Sequence, residues 1–317
     1  MTDTQTGAVP EGEPVTTQLV PPELPGIDKR DAPSAPGKRQ SGSEGRVLNV
    51  FSHAFLVVWG LLVTLPVLWA IMTSLKTDSE ILKSPWALPD ELKWNNWSRA
   101  WQDANMGDYF MNSVIVVGGS LVGTMLLGAM AAYVIARFEF PGNRFIYYLF
   151  ISGMSFPIIL ALVPLFFVMD NMGLLNTYHG LILVYIGYSL PFTVFFLTSF
   201  FRTLPTSVAE AAILDGASHT RTFFQVMLPM AKPGLISVGI FNFLGQWNQY
   251  LLPTVLNTGE GKQVLPQGLV ELAATQGYDG DWSGLFAGLV LATLPVLAVY
   301  IVFQRQVQAG LTAGALK

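Results

Sequence analysis

The chain has 317 residues, of which 51% are apolar and only 12% charged, with a formal net charge of −4. A mean hydropathy of +0.46 is rarely reached by soluble globular domains and points to a bilayer as solvent. The absence of cysteine excludes structural disulfides and thiolate metal sites.

In chain order, residues 1–45 hold seven prolines, many Thr, Ser and Gly, and no aromatic residue. Such a segment cannot bury enough apolar surface to offset its ordering entropy, so a disordered tail is expected there. It has no apolar core of its own and is not a cleavable leader; the first span serves as an uncleaved signal anchor. From residue 46 the composition changes. Six apolar runs reach the roughly 20 residues needed to cross the hydrocarbon core, at about 48–72, 113–136, 145–168, 180–201, 234–256 and 284–303. None contains Lys, Arg, Asp or Glu. The fold class expected is therefore an all-α, polytopic membrane protein with six transmembrane helices over residues 46–317. Pro66, Pro157, Pro164, Pro191, Pro253 and Pro295 predict kinked spans, and Gly119, Gly123, Gly284 and Gly288 mark close helix contacts.

Orientation follows from the basic residues. With a cytoplasmic N-terminus, the inside segments hold twelve Lys and Arg and the outside segments five: Lys76, Lys83, Lys93, Arg99 and Lys262. The positive-inside rule thus places both termini in the cytoplasm.

Between the fourth and fifth spans lies a polar, helix-forming stretch, about 203–233, that this orientation also puts in the cytoplasm. Ser207 is expected to cap a helix starting at Val208, with the Glu210 carboxylate reaching back as in a capping box. Ala211 and Ala212 carry the helix, and Gly216 after Asp215 supplies the left-handed residue that stops it. After Ala217, Ser218 caps a second helix that Pro229 and Pro233 end or kink. The order Glu210-Ala211-Ala212, Asp215-Gly216-Ala217, then Leu228-Pro229 resembles the cytoplasmic coupling loop of permease subunits in binding-protein-dependent ABC importers. Ser74-Leu75-Lys76 with Glu80-Ile81, Tyr109-Phe110 with Asn112-Ser113, and the ending Gly310-Leu311-Thr312-Ala313-Gly314-Ala315-Leu316-Lys317 are similar to the carbohydrate-uptake subgroup of the maltose-transporter type, so the resemblance covers roughly residues 48–317.

The resemblance implies a non-enzymatic subunit in a bacterial inner membrane. It implies as partners a second homologous permease, a dimer of ATPase subunits and an extracytoplasmic solute-binding protein. No cofactor is expected in this chain: ATP and Mg would be held by the ATPase, and no G-x-x-x-x-G-K-[ST] phosphate loop occurs here. The coupling residues carried over are Glu210, Ala211, Ala212, Asp215, Gly216, Ala217, Leu228 and Pro229. Alternating access of a sugar is the implied mechanism, with the lipid bilayer as surroundings and no nucleic-acid partner.

Asn242, Gln246, Trp247, Asn248, Gln249 and Tyr250 are expected in or near the outer half of the fifth span, with Asn242, Gln246 and Gln249 on one helical face. Amides and aromatics are costly in lipid unless they face a wet cavity or a partner helix. Sugars need amide donors and aromatic faces, so these residues are candidates for the substrate path; the alternative is that the amides join helices. Tyr185, Tyr188 and Ser189 in the fourth span are further candidates. His53, His179 and His219 form no ligand set, so no metal site is expected. The absence of charges within the spans argues against the alternative function, an ion-coupled secondary carrier.

Overall fold

The structure is a computed structural model that describes the backbone of residues 43–259 and 261–315, with the side chains of 49–274 (260 excepted) and 280–306. The expected disordered tail lies outside the described residues, apart from residues 43–45, which begin the first helix. Every described element is helical, as hydrocarbon demands of a chain that must satisfy its own backbone donors and acceptors.

The chain divides into two units, residues 1–59 and 60–317. The described part of the first is the opening of α1 (Ser43–Thr73), where Phe55 stacks on Trp59 at 6.4 Å. In the second unit α1 is completed and followed by α2 (Asp78–Lys83), α3 (Asn95–Gln102), α4 (Met106–Arg137), α5 (Asn143–Ser155), α6 (Ile158–Asn171) and α7 (Tyr178–Thr203). Then come α8 (Thr206–Leu214), α9 (His219–Thr222), a π-helical turn (Phe223–Met227), α10 (Leu228–Met230), α11 (Lys232–Trp247), α12 (Leu251–Leu256), α13 (Leu265–Asp279) and α14 (Trp282–Ala315). Four helices are long and apolar enough to cross a bilayer: Asn49–Thr73, Met106–Arg137, Tyr178–Thr203 and Trp282–Gln306. Two bent pairs raise the number to six if each is one span.

The third and fifth apolar runs are broken beside two of the prolines expected to kink them, Pro157 and Pro253. The run 145–168 is broken into α5 and α6, which meet at 104°. Pro157 disfavours helical backbone at the residue before it, and Phe156 accordingly sits at φ −83, ψ 118. The run 234–256 is interrupted at 248–250. Pro253 has no N–H for the carbonyl of Gln249, and that carbonyl instead accepts from the Tyr185 hydroxyl at 3.4 Å. Pro253 itself falls in the first turn of α12, where its missing donor has no intrahelical acceptor anyway. By contrast Pro66, Pro164, Pro191 and Pro295 lie inside continuous helices.

At the centre α4 and α7 pack along their length. A Cβ added at Gly119, Gly123 or Gly128 would stand 3.0, 2.5 and 2.4 Å from Ile182 Cδ1, Ile186 Cδ1 and Thr193 Cγ2. One apolar core gathers Met106, Val116, Tyr185, Trp247 and Leu265 around the start of α4. A second gathers Ala129, Tyr133, Leu197, Phe201, Phe223 and Met227 around its end.

The connection from α1 to α4 is folded around a fully buried lysine. Lys76 Nζ donates to the carbonyls of Ser84 and Pro85 at 3.0 and 3.1 Å, and Trp69 Nε1 donates to Pro85 at 2.9 Å. Asn96 Nδ2 donates to the carbonyls of Ser74 and Lys76. Arg99 reaches Asp281 at 3.1 Å and Ser283 Oγ at 2.9 Å, tying α3 to the start of α14. Helix α2 opens with a capping box, in which Thr77 Oγ1 accepts from the Glu80 N–H and Glu80 Oε2 accepts from the Thr77 N–H at 2.7 Å. The Thr77 backbone N–H, the Thr77 hydroxyl and the Asp90 N–H together push the Glu80 carboxyl down to about 2.

Two predictions follow from this packing. A Cβ on Gly268 would stand 1.9 Å from Tyr109 Cδ2. A ring cannot swing aside like an aliphatic tip, so Gly268→Ala should destabilise by about 1–3 kcal/mol, read as a lower thermal midpoint of the purified complex. Adding Tyr109→Ala should recover part of that loss. Because the folded Glu80 pKa is depressed, its contribution is complete above the ordinary 4.5 and is lost as pH falls toward about 2. Hydrogen exchange over residues 77–93, corrected for intrinsic rates, should stay protected below pH 4.5 and open only near the lower value. Glu80→Gln should lack that step; a wild-type step centred at 4.5 would contradict the assignment.

Candidate functional site

Two features stand out: an exposed helical segment after α7 and a polar-walled cavity beside α11. The segment begins at Pro205, which is the N-cap of α8 with φ −63 and ψ 130 and makes no side-chain cap bond. This corrects the expected start. Ser207 falls inside the first turn and Glu210 beyond it, and the proline at the cap has no N–H to offer a carboxylate, so no capping box forms. The end is as expected. Gly216 has φ +86; its N–H donates to Ile213 at 3.0 Å and the Ala217 N–H to Ala212 at 3.0 Å, the paired closure that a left-handed residue permits. Ser218 caps α9 through the Arg221 N–H at 3.3 Å.

Ala209 is the buried residue of α8, while Glu210, Ala211, Ile213, Leu214, Asp215 and Gly216 are exposed, Leu214 at 87%. Leu228 packs against the second core and Pro229 is exposed. The segment is held from behind. Tyr133 of α4 contacts Phe201 of α7 at 5.6 Å and Phe223 of the π turn at 5.0 Å between ring centroids. Arg137 donates to the Leu204 carbonyl at 2.6 Å and to Thr206 Oγ1 at 3.0 Å, fixing where α8 starts. After α10 the chain bends by 76° into α11.

α11 then carries Asn242 and Gln246 to the cavity. This space of about 460 Å³ lies between the α5–α6 elbow, α7 and α11, and its lining includes Phe156, Tyr188, Ser189, Phe192, Asn242 and Gln246. Both amides are nearly buried, at 5% and 4% exposure. Asn242 Nδ2 donates to Thr193 Oγ1 at 2.8 Å, and Gln246 Nε2 donates to Ser189 Oγ at 2.9 Å. Gln246 Oε1 accepts from Ser120 Oγ of α4 at 2.8 Å. The two amides therefore join α11 to α7, and one of them to α4, while also lining the cavity. A second, apolar space of about 570 Å³ shares Phe156, Ile158, Tyr188 and Pro191 with the first and extends to Leu165, Met169 and Met172.

The other candidates are placed differently. Trp247 is buried, stacks on Phe243 at 5.5 Å and donates to the Ala292 carbonyl at 3.2 Å. Asn248 is exposed and donates to Leu244 of its own helix. Gln249 lies past the end of α11, so it does not continue the face of Asn242 and Gln246; its Oε1 accepts from the Leu251 N–H. Tyr250 is partly exposed, and neither it nor these three lines the cavity. Tyr185 is buried in the first core. Sequence reasoning had not anticipated Ser120 and Thr193 as partners of the amides, nor Phe156 as a wall; the available signal was Phe156-Pro157, which forces an elbow inside an apolar run.

Fold and site define a multi-pass membrane protein with an exposed helical segment joined to an internal cavity. The sequence profile of the family described as "binding-protein-dependent transport system inner membrane component" matches residues 124–312, and the chain belongs to that family. It is a permease subunit of an ABC importer and not itself an enzyme. A diacetylchitobiose uptake system permease protein of Streptomyces coelicolor is 54% identical over 88% of this chain and 92% of that protein. A trehalose transport system permease protein of Mycobacterium tuberculosis is 35% identical over 80% and 92% respectively. Among solved structures, a bacterial ABC transporter involved in import of the acidic polysaccharide alginate superposes with a TM-score of 0.73. It is 21% identical and covers 83% of this chain and 97% of its own, so it supports the fold.

Gly216 supplies a test of the segment. Nothing within 4 Å would meet an added Cβ there, so a substitution acts through backbone strain alone. Gly216→Val should cost about 1–2 kcal/mol for left-handed backbone, read as a lower thermal midpoint of the complex. Gly216→Asn, whose side chain tolerates that conformation, should cost less. Equal effects would show that the positive φ is not what constrains the site.

Proposed function

We propose that this chain, paired with a second homologous permease subunit, forms the translocation pathway for a carbohydrate, and that residues 203–233 dock on a separate ATPase dimer. The ATPase holds ATP and Mg; an extracytoplasmic solute-binding protein delivers the sugar. Both termini lie in the cytoplasm, on the side favoured by the distribution of Lys and Arg. The relatives named for uptake of diacetylchitobiose and trehalose support an oligosaccharide, with an amino sugar among the candidates.

The observation that carries the reading is the continuity of one structural path. The exposed face of α8, with Glu210, Ala211 and Leu214, is closed by Gly216 and passes through the π turn into α11. α11 in turn places Asn242 and Gln246 on the cavity wall. An element that moves when ATP binds can shift the cavity only by interactions that differ between two states, and this path provides the physical link. Trp247 to Tyr250 stand at the end of the same helix and mark the mouth of the path in this reading.

In sealed vesicles holding the complete importer, uptake of N,N′-diacetylchitobiose should require internal ATP and the solute-binding protein and survive collapse of proton and sodium gradients. Uptake abolished by ionophores and indifferent to ATP would overturn the proposal. Gln246→Leu, which removes the hydrogen bonds to both Ser189 and Ser120, should lower the yield of assembled complex and also slow uptake per assembled complex roughly two- to tenfold. Poor yield with normal turnover per complex would assign the amide to joining helices only.

A further inference from the structure

The hydrogen-bond directions on the cavity wall carry more than its polarity. Thr193 Oγ1 donates its single proton to the Ser189 carbonyl, one turn earlier in α7, at 2.8 Å. Its oxygen can therefore only accept from Asn242, which fixes the Asn242 amide with Nδ2 toward Thr193 and Oδ1 turned away. Nδ2 also faces Met125 Sδ at 3.6 Å. No described residue donates to Asn242 Oδ1, although the residue is 5% exposed and lines the cavity. One turn along, Ser189 Oγ accepts from Gln246 Nε2, and its own proton has no described acceptor. Ser189 is 6% exposed and lines the same cavity.

The wall thus presents one free acceptor and one free donor, about one helical turn apart, beside the rings of Phe192 and Phe241. The Asn242 oxygen opens on the cavity, so a ligand that fills this space must supply a donor to it, or the acceptor is left unpaired. Sugar hydroxyls can satisfy either group, and the C–H face of a sugar ring can cover the aromatic side, but no single hydroxyl does all of this at once. An acetamido group brings all three parts: an N–H for Asn242 Oδ1, a carbonyl for the Ser189 hydroxyl, and a methyl for the aromatic side.

We propose that Ser189 and Asn242 form an acetamido-selective subsite, so that this permease discriminates for N-acetylated sugars in addition to whatever its binding protein selects. The proposal rests on the carbohydrate reading above. It assigns selectivity to two residues on one wall and predicts that the wall discriminates in the absence of the binding protein.

The test uses the complete importer in lipid nanodiscs, without the binding protein. Labelled N,N′-diacetylchitobiose is measured by equilibrium dialysis, with unlabelled cellobiose, which has the same linkage and lacks the acetamido groups, as competitor. The wild type should bind the acetylated disaccharide in preference to cellobiose. Ser189→Ala and Asn242→Ala should each weaken it roughly two- to tenfold, as expected for one lost hydrogen bond, and should weaken cellobiose less. Complex yield and thermal midpoint identify a variant that has merely misfolded; Ser189→Ala removes a single oxygen and is the milder of the two. Equal displacement by cellobiose, equal weakening of both sugars, or no binding of either disaccharide to the wild type would each refute the subsite. If ATP-dependent uptake of diacetylchitobiose persists in those cases, the carbohydrate reading stands without it; if uptake also fails, that reading falls with it.

Discussion

The arrangement depends on a short polar ladder set across three helices in an otherwise apolar interior. Ser120 of α4 meets Gln246 of α11, Gln246 meets Ser189 of α7, and Asn242 meets Thr193. Within lipid there is no hydrophobic force to press helices together, so association relies on close packing and interhelical hydrogen bonds of about 0.6–2 kcal/mol each. Gly119, Gly123 and Gly128 remove the side chains that would hold α4 and α7 apart, and the ladder fixes α11 against the pair. The cavity lies at the elbow where α5 and α6 meet at Pro157, between that elbow, α7 and α11.

The ends of the α4–α7 pair are secured by different chemistry. Near residue 133 the joint is aromatic, with Tyr133 against Phe138, Phe201 and Phe223, and Phe201 against Phe223. Near residue 106 it is the core of Met106, Val116 and Tyr185, while the connection before it is folded around a buried lysine held by two carbonyls. A lysine in such a place must be hydrogen-bonded or the fold would not tolerate it, so the loop at 84–85 is bound to the end of α1 as firmly as a helix contact would bind it. The arginine of α3 makes a partly exposed ion pair with Asp281, just before α14.

Much of this was legible in the residues. The apolar runs located the spans, and Asp215-Gly216 and Ser218 located a helix end and a helix start, because both signals act within four or five residues. Legibility failed where a competing local rule won. Leu204-Pro205-Thr206 starts α8 before Ser207 can act as a cap, while the same Thr-x-x-Glu logic, unread in Thr77-Asp78-Ser79-Glu80, does form a capping box. It failed again where tertiary register decides. Ser189 and Thr193 are one turn apart on α7, as are Asn242 and Gln246 on α11, and each pair is visible as a pattern. That 246 meets 189 and 242 meets 193 is set only when the helices pack in opposite directions.

The π turn at Phe223–Met227 fixes a phase relation. The N–H of Leu228 bonds to the carbonyl of Phe223, five residues back, and the wider turn precedes Pro229, which can neither donate nor accommodate a carbonyl behind its ring. Each residue of an α-helix advances the chain by about 100°. Loss of one residue from this turn would restore ordinary helical winding and rotate everything before it, Phe223 and the α8 face included, by roughly that angle relative to α11. The length of the stretch between Gly216 and Lys232 is therefore a constraint in its own right, separate from the demands on its side chains.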